Sequence, residues 1–289
     1  MDRRNFLTVT TGAITLHQLG QRAQGLYQWL PQPANPVVEQ IRQRPEAVMT
    51  LAGMKPDPWQ VNLLRSKAET VYANTTRQGG KSLVAGAVAL QVALTSDGST
   101  TLIVSPSERQ SIELLQEKIL PLYRKLGRPL GLLRDSQTSV RFGNGSRIVA
   151  LPGKEETIRS FSAVSLLILD EAARIPDPLF YSVGAFLAVS HGRMLAMSTP
   201  FGQRGWFYEE WRGAGAYERF EVPASMCPRI PAKFLEEERR KMGPRWFAQE
   251  YGNSFEAATG SVFNPEDVDA MFDLDDLPEG VSPEQLAGV

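Results

Sequence analysis

Cysteine is almost absent from this chain: Cys227 is the only one in 289 residues. A lone cysteine cannot build an internal disulfide framework or a cysteine-cluster metal site, so a reducing compartment fits. Nothing near Cys227 in sequence offers a base, so it reads as a small buried residue and not as a nucleophile. Histidine is scarce as well. His17 and His191 lie far apart, which leaves no basis for a structural zinc site. No apolar run approaches the length needed to cross a bilayer, so no membrane association is expected. Internal repeats and low-complexity segments are also missing.

Net charge is nearly absent, at −1, but it is unevenly spread. Residues 264 to 289 carry eight acidic and no basic side chains, so the remainder has 31 basic against 24 acidic residues, or +7. Such a surplus permits contact with a polyanion without requiring it. An apolar content of 42% is ordinary for a globular protein and excludes disorder throughout. The length holds one large or two modest domains.

What is present is an alternation. Pro31, Pro33, Pro36 and Pro45 punctuate residues 31–46, which reads as a linker leaving residues 1–46 outside the main fold. Residues 69–73 then read as a short apolar strand and 81–94 as an Ala/Val/Leu-rich helix. A β-branched strand at 101–105 is followed by an amphipathic helix over 107–120 with Ile112, Leu115 and Ile119 on one face. Strand, helix, strand, helix predicts an α/β fold with a mainly parallel sheet flanked by helices, here over 47–222. Residues 139–151 break the order with two short strands around Asn144-Gly145, a hairpin signal that marks an insertion or a sheet edge. The apolar runs 166–169 and 194–197 read as buried central strands, ending in Asp170 and in Ser198-Thr199-Pro200. Beyond Val222 the chain turns charged and helical, with a Gly243-Pro244 break, which predicts a small helical lid over 223–255. Residues 256–289 read as an acidic linker or tail.

The chemistry gathers at the ends of these strands. Thr75-Thr76-Arg77-Gln78-Gly79-Gly80-Lys81-Ser82 lies between strand and helix, where backbone N–H groups and the helix dipole can face phosphates. Lys81 supplies a point charge there and the Ser82 hydroxyl can ligate Mg2+. Thr75 stands where the usual pattern has glycine. Gly-Gly-Lys-Ser alone also arises in flexible turns; the second motif decides. About ninety residues on, a buried strand ends in Asp170-Glu171, at the edge where open parallel sheets place ligands. Asp170 can hold Mg2+ through water, and Glu171 can orient and deprotonate the attacking water of ATP hydrolysis. Gln60, about twenty residues before Lys81, carries an amide able to read the adenine edge.

The assembled set resembles the ATPase domain of bacteriophage terminase large subunits. It comprises Trp59-Gln60, Arg77-Gln78-x-Gly80-Lys81-Ser82, Asn144-Gly145-Ser146, Leu169-Asp170-Glu171-Ala172, Ser198-Thr199-Pro200 and Gly205-Trp206-Phe207-Tyr208, in order over about residues 50 to 265. The resemblance implies a RecA-like P-loop ATPase core with a small helical lid. It implies a motor that uses ATP and Mg2+ to drive double-stranded DNA into a procapsid. The portal protein and a small terminase subunit would be its partners, and the chain would form a homo-oligomeric ring. By the same resemblance Gln60 takes adenine. Thr76, Arg77, Gln78, Gly79, Gly80, Lys81 and Ser82 take the phosphates, and Ser82 and Asp170 take the metal. Glu171 is catalytic, and Ser198, Thr199 and Pro200 couple hydrolysis to lid movement. Arg159 matches a basic residue that acts on a neighbouring subunit's ATP, although Ser160 follows it where glycine is common; Arg77 is the alternative within the same subunit.

Full-length relatives continue into a ribonuclease-H-like nuclease. Asp273, Asp275 and Asp276 cluster in a linker-like stretch and read as a solvated charge run, so no nuclease activity is expected of this chain. Asp2-Arg3-Arg4-Asn5-Phe6-Leu7 resembles a twin-arginine export signal, but no Ala-x-Ala site follows it. An ATP-dependent enzyme would also find no ATP outside the cytoplasm, so the host cytoplasm is the expected location. A helicase-type ATPase and an inactive remnant that only binds DNA or portal are the competing readings.

Overall fold

The computed structural model describes residues 35–152, 161 and 163–256. Three short helices come first: α1 (Pro36–Gln43), α2 (Ala47–Thr50) and α3 (Pro58–Arg65). An eight-stranded sheet follows, made of β1 (Thr70–Thr75), β2 (Thr100–Ser105), β3 (Leu132–Asp135), β4 (Ser139–Phe142), β5 (Arg147–Pro152), β6 (Leu166–Asp170), β7 (Arg193–Ser198) and β8 (Glu218–Val222). Their spatial order is β3-β4-β5-β2-β6-β7-β1-β8. All neighbours from β5 to β8 pair in parallel, while β3–β4 and β4–β5 are antiparallel. The hairpin around Asn144-Gly145 is therefore part of an antiparallel extension at one end of the sheet, where β3 and not the hairpin forms the edge, with Gly145 at φ 82° in its turn.

The central strands are apolar because both their faces are covered. Alternate residues divide between two cores. Val71, Ala73, Ile103, Leu166, Ile168, Leu195 and Met197 face one core, which is closed by α4 (Lys81–Thr95). Tyr72, Leu102, Val104, Leu167, Leu169, Met194 and Ala196 face the other, with Leu179 of α7 (Asp177–Ser190) and Trp206 and Phe207 of α8 (Trp206–Arg212). Trp206 stacks on Phe180 at 3.8 Å and donates from Nε1 to the Ile175 carbonyl, 2.9 Å away.

Two expectations change. The stretch read as a Pro-rich linker contains α1, whose Val38 and Ile41 are buried in the first core. Proline is compatible with a helix start, because the first-turn N–H it lacks has no helical partner anyway, and Pro36 occupies that place. The helix expected over 107–120 runs further, as α5 (Glu108–Glu113), a π-helical Leu114–Ile119 and α6 (Leu120–Lys125). Pro121 has no N–H for the ladder, and the wider turn just before it accommodates that loss. Gly86 of α4 lets this segment approach: a Cβ there would lie 3.1 Å from Ile119 Cγ1.

The charged region ends the described chain as α9 (Ala232–Gly252), split at Gly243 (φ 76°, ψ 168°) where the Gly-Pro pair predicted a break. Among the described residues no helix is long and apolar enough to cross a membrane. The N-terminal arginines, Arg159, Ser160, Asp273, Asp275 and Asp276 lie outside the described residues.

Candidate functional site

The loop between β1 and α4 sits at the carboxyl edge of the sheet. Thr75 is the last residue of β1 and fully buried, so the position where glycine is usual is held here in extended backbone that suits a β-branched residue. Gln78 (φ 58°) and Gly80 (φ 89°) then turn the chain into α4, which begins at Lys81. At Gly80 a side chain is excluded by conformation and by space, since a Cβ would lie 2.7 Å from Gln60 Nε2.

The region after Val222 grips this loop from outside. Thr76 N–H donates to the Val222 carbonyl at 2.9 Å, and Arg77 N–H and Thr76 Oγ1 both donate to the Glu250 carbonyl, at 3.1 and 3.2 Å. Arg77 also pairs with the Glu250 carboxylate. Arg229 donates to Asp57 Oδ2 at 2.7 Å and to the Gly79 carbonyl at 3.0 Å. Asn74 and Asn253 exchange amide-to-carbonyl bonds of 2.9 and 3.1 Å.

Gln60 is buried, and both ends of its amide are engaged. Its oxygen accepts from Asp57 N–H at 2.9 Å, capping α3, while its Nε2 donates to the Gly80 carbonyl at 3.4 Å. Reading adenine with donor and acceptor together would therefore require Gln60 to give up the cap.

Two strands over, β6 delivers the acids. Asp170 is buried and its Oδ1 has no hydrogen-bond partner. Burial pushes its pKa up to about 6, against a smaller downward pull from Lys81 and an upward push from Glu171. Glu171 follows in left-handed backbone (φ 53°) and leads into a 3-10 turn, Ala172–Arg174. Lys81 Nζ lies 2.7 Å from Glu171 Oε1, and Arg174 Nη1 lies 3.0 Å from Oε2. Arg174 also donates to Thr199 Oγ1 at 3.3 Å. Ser198 and Thr199, at the end of β7, are buried, with the Ser198 hydroxyl unpartnered, and Pro200 is buried beside them.

Lys81, Asp170, Glu171 and Thr199 thus meet at one sheet edge, with Ser82 one residue into α4. The buried Asp170 carboxylate oxygen without a partner is the donor a hard divalent cation takes, although among the described residues no group of three or more His, Cys, Asp or Glu stands ready to cage one. The donor set suits Mg2+ completed by water and phosphate.

Residues 73–269 match the family model described as terminase large subunit, T4likevirus-type, N-terminal. The chain belongs to the terminase large subunit family. It is 26% identical over 262 residues to the large subunits of Thermus phage G20c and Thermus virus P23-45, covering 75% of this chain and 52% of each. It therefore spans about half the length of those relatives. The ATPase domain of the Thermus phage P74-26 large terminase is 25% identical, with TM-score 0.61 over 71% of this chain and 96% of that one. The ADP complex of a large terminase from a thermophilic bacteriophage shares the fold, at TM-score 0.57 and 14% identity over 70% of this chain and 54% of that one. The mainly parallel, helix-flanked sheet is thus the RecA-like core of large terminases.

Sequence reasoning did not single out Arg174, Arg229, Asp57 or Glu250. Arg174 had a signal, since it stands three residues after Glu171. The others join the site over separations of 150 residues and more and have no local pattern.

Proposed function

We propose that this terminase large subunit chain is the ATP-hydrolysing part of a viral DNA-packaging motor. The observation that carries the reading is the Lys81–Glu171 pair, at 2.7 Å, beside the buried and unpartnered Asp170 oxygen. It joins the cation at the start of α4 to the acid that follows β6. The family's P74-26 member, whose related domain is an ATPase, supports ATP as the nucleotide.

In this mechanism the backbone N–H groups from Gly79 to Ser82 and the start of α4 bind the phosphates. Lys81 leaves Glu171 to meet the β- and γ-phosphates, so Oε1 becomes free to accept a proton from the attacking water. Ser82 and Asp170 would hold Mg2+, which when bound would neutralise charge building on the phosphate oxygens. Residues 223–255 act as a lid on the core 47–222. Their hold on the phosphate loop through Arg229 and Glu250 is the physical link between nucleotide state and lid position. Ser198, Thr199 and Pro200 form the coupling segment. Arg159 is assigned to the ATP of a neighbouring subunit in a homo-oligomeric ring, with Arg77 the alternative within the subunit. Portal protein and small terminase subunit complete the partners, and the host cytoplasm is the working compartment.

Double-stranded DNA as the other substrate has its own support. Arg134 of β3 faces Arg141 of β4, which in turn faces Arg147 of β5, and all three are exposed. Like charges directly opposite one another destabilise a sheet, and a phosphate backbone relieves that repulsion. Arg134→Glu with Arg141→Glu should reduce the slope of log affinity for duplex against log salt by about 1 per arginine. Fluorescence anisotropy on a duplex at several salt concentrations checks this, and an unchanged slope removes β3–β4 from the interface.

Steady-state hydrolysis of Mg-ATP by the purified chain, alone and with double- or single-stranded DNA, tests the function. The motor reading expects hydrolysis that duplex raises more than single strands do. Stimulation by single strands alone would favour a helicase, and a chain that never hydrolyses ATP would be a remnant.

A further inference from the structure

Arg174 has no part in the mechanism above, yet it touches the proposed base directly. Residues three apart eclipse in a 3-10 turn, and Arg174 stands three after Glu171 in such a turn. Its Nη1 lies 3.0 Å from Glu171 Oε2 and 3.3 Å from Thr199 Oγ1, while its guanidinium lies over the Phe201 ring at 4.6 Å. Arg204 approaches the same ring at 4.4 Å.

The two cations on Glu171 differ in what can move them. Lys81 takes Oε1 from the phosphate loop and is drawn off by incoming phosphates. Arg174 takes Oε2 from a turn whose backbone is pinned: its N–H donates to the Glu171 carbonyl at 2.9 Å, and the next carbonyl, of Ile175, accepts from the buried Trp206 indole. When Lys81 departs, one carboxylate oxygen is released toward water while the other stays held. A carboxylate held by one oxygen keeps a single orientation, which is what proton abstraction from a positioned water needs.

We propose that Arg174 is a positioning residue that fixes the Glu171 carboxylate through Oε2 and ties it to the Thr199–Phe201 segment, so that base and segment move together. The proposal rests on Glu171 being the base. It adds a contact through which the end of β7 can act on hydrolysis: a shift of Thr199 or Phe201 changes the aim of Glu171 without touching nucleotide.

The test compares kcat, KM and equilibrium binding of a fluorescent ATP analogue for Arg174→Ala, Arg174→Lys, Glu171→Gln and the Arg174→Ala/Glu171→Gln double variant of the full chain. Arg174→Ala should lose about 10- to 100-fold in kcat, with KM and analogue affinity within about threefold of the parent. Arg174→Lys, which keeps a charge within reach of Oε2, should recover most of that loss. The double variant should be no slower than Glu171→Gln, because an arginine that acts only through the carboxylate has nothing left to position. Parental kcat in Arg174→Ala overturns the proposal. So does a loss of affinity matching the loss of kcat, which would mean that Arg174 binds nucleotide. A lysine variant no better than alanine, or a double variant slower than Glu171→Gln, overturns it as well. Should Arg174→Ala melt early, Arg174→Gln, which keeps length and a donor, takes its place in the same comparison. Parental kcat in Glu171→Gln would instead remove the base assignment itself and the proposal with it.

Discussion

The Glu171→Gln protein should bind Mg-ATP at least as tightly as the parent and hydrolyse it about a thousandfold more slowly, which is the scale of a lost general base. The amide keeps the size and a hydrogen-bonding oxygen but cannot take a proton from water. Affinity should not fall, because Lys81 is held by the Glu171 carboxylate at 2.7 Å, and an uncharged partner releases it more easily to the phosphates. Lys81→Ala should show the opposite division. It removes the cation that meets the phosphates, so nucleotide affinity itself should fall about 10- to 100-fold, the range for losing a hydrogen bond to a charged group. Calorimetric binding and single-turnover hydrolysis on both proteins separate the two steps. Normal turnover in the Gln variant would take Glu171 out of catalysis, and unchanged affinity in Lys81→Ala would take Lys81 off the phosphates.

The meeting of Lys81 with Glu171 was legible in the sequence because each half of it is local. Lys81-Ser82 and Asp170-Glu171 each stand next to the element that positions them, and the apolar runs of β1, β2, β6 and β7 announced buried parallel strands whose carboxyl ends share an edge. The edges of the sheet were not legible. β3 is exposed at all four positions and β8 at two of five, so neither carries a burial pattern to be read. The clasp around the phosphate loop was hidden for a different reason. Arg229 meets Asp57 across 172 positions and Arg77 meets Glu250 across 173, and only the path of the chain after β8 brings them together. Proline misled at Pro36, where the same ring that breaks a helix interior suits its first turn. The engagement of Gln60 in its own helix cap follows the Asp57-to-Gln60 spacing, a capping pattern whose use here competes with a role at adenine.

Asp170→Asn should abolish Mg-dependent turnover, by about a hundredfold or more, and yet stabilise the nucleotide-free protein. The sign follows from the direction of its pKa. Burial raises the folded value to about 6, above the 3.8 of an unperturbed carboxyl, so the folded state holds this proton more tightly than the unfolded chain does. The stabilisation that comes from the bound proton is fully present below the unfolded value and is lost as pH rises through the folded one. At pH 7.5 Asp170 is therefore an ionised, buried carboxylate with one oxygen unpartnered, and it weakens the empty fold. Raising the carboxyl from 3.8 to about 6 corresponds to at most about 3 kcal/mol, and a buried amide recovers only part of that, so a gain of about 1–2 kcal/mol is expected. For a chain of this size the melting temperature should rise by about 2–3 °C at pH 7.5 in EDTA, and the difference should vanish below about pH 4, where both side chains are neutral. Saturating Mg-ATP should reverse the order, since binding stabilises only the protein that still holds the metal. Thermal denaturation from pH 4 to 8, with and without Mg-nucleotide, reads all three effects. An Asp170→Asn protein that melts below the parent at every pH without nucleotide would make Asp170 a structural residue rather than a metal ligand kept at a cost to the fold.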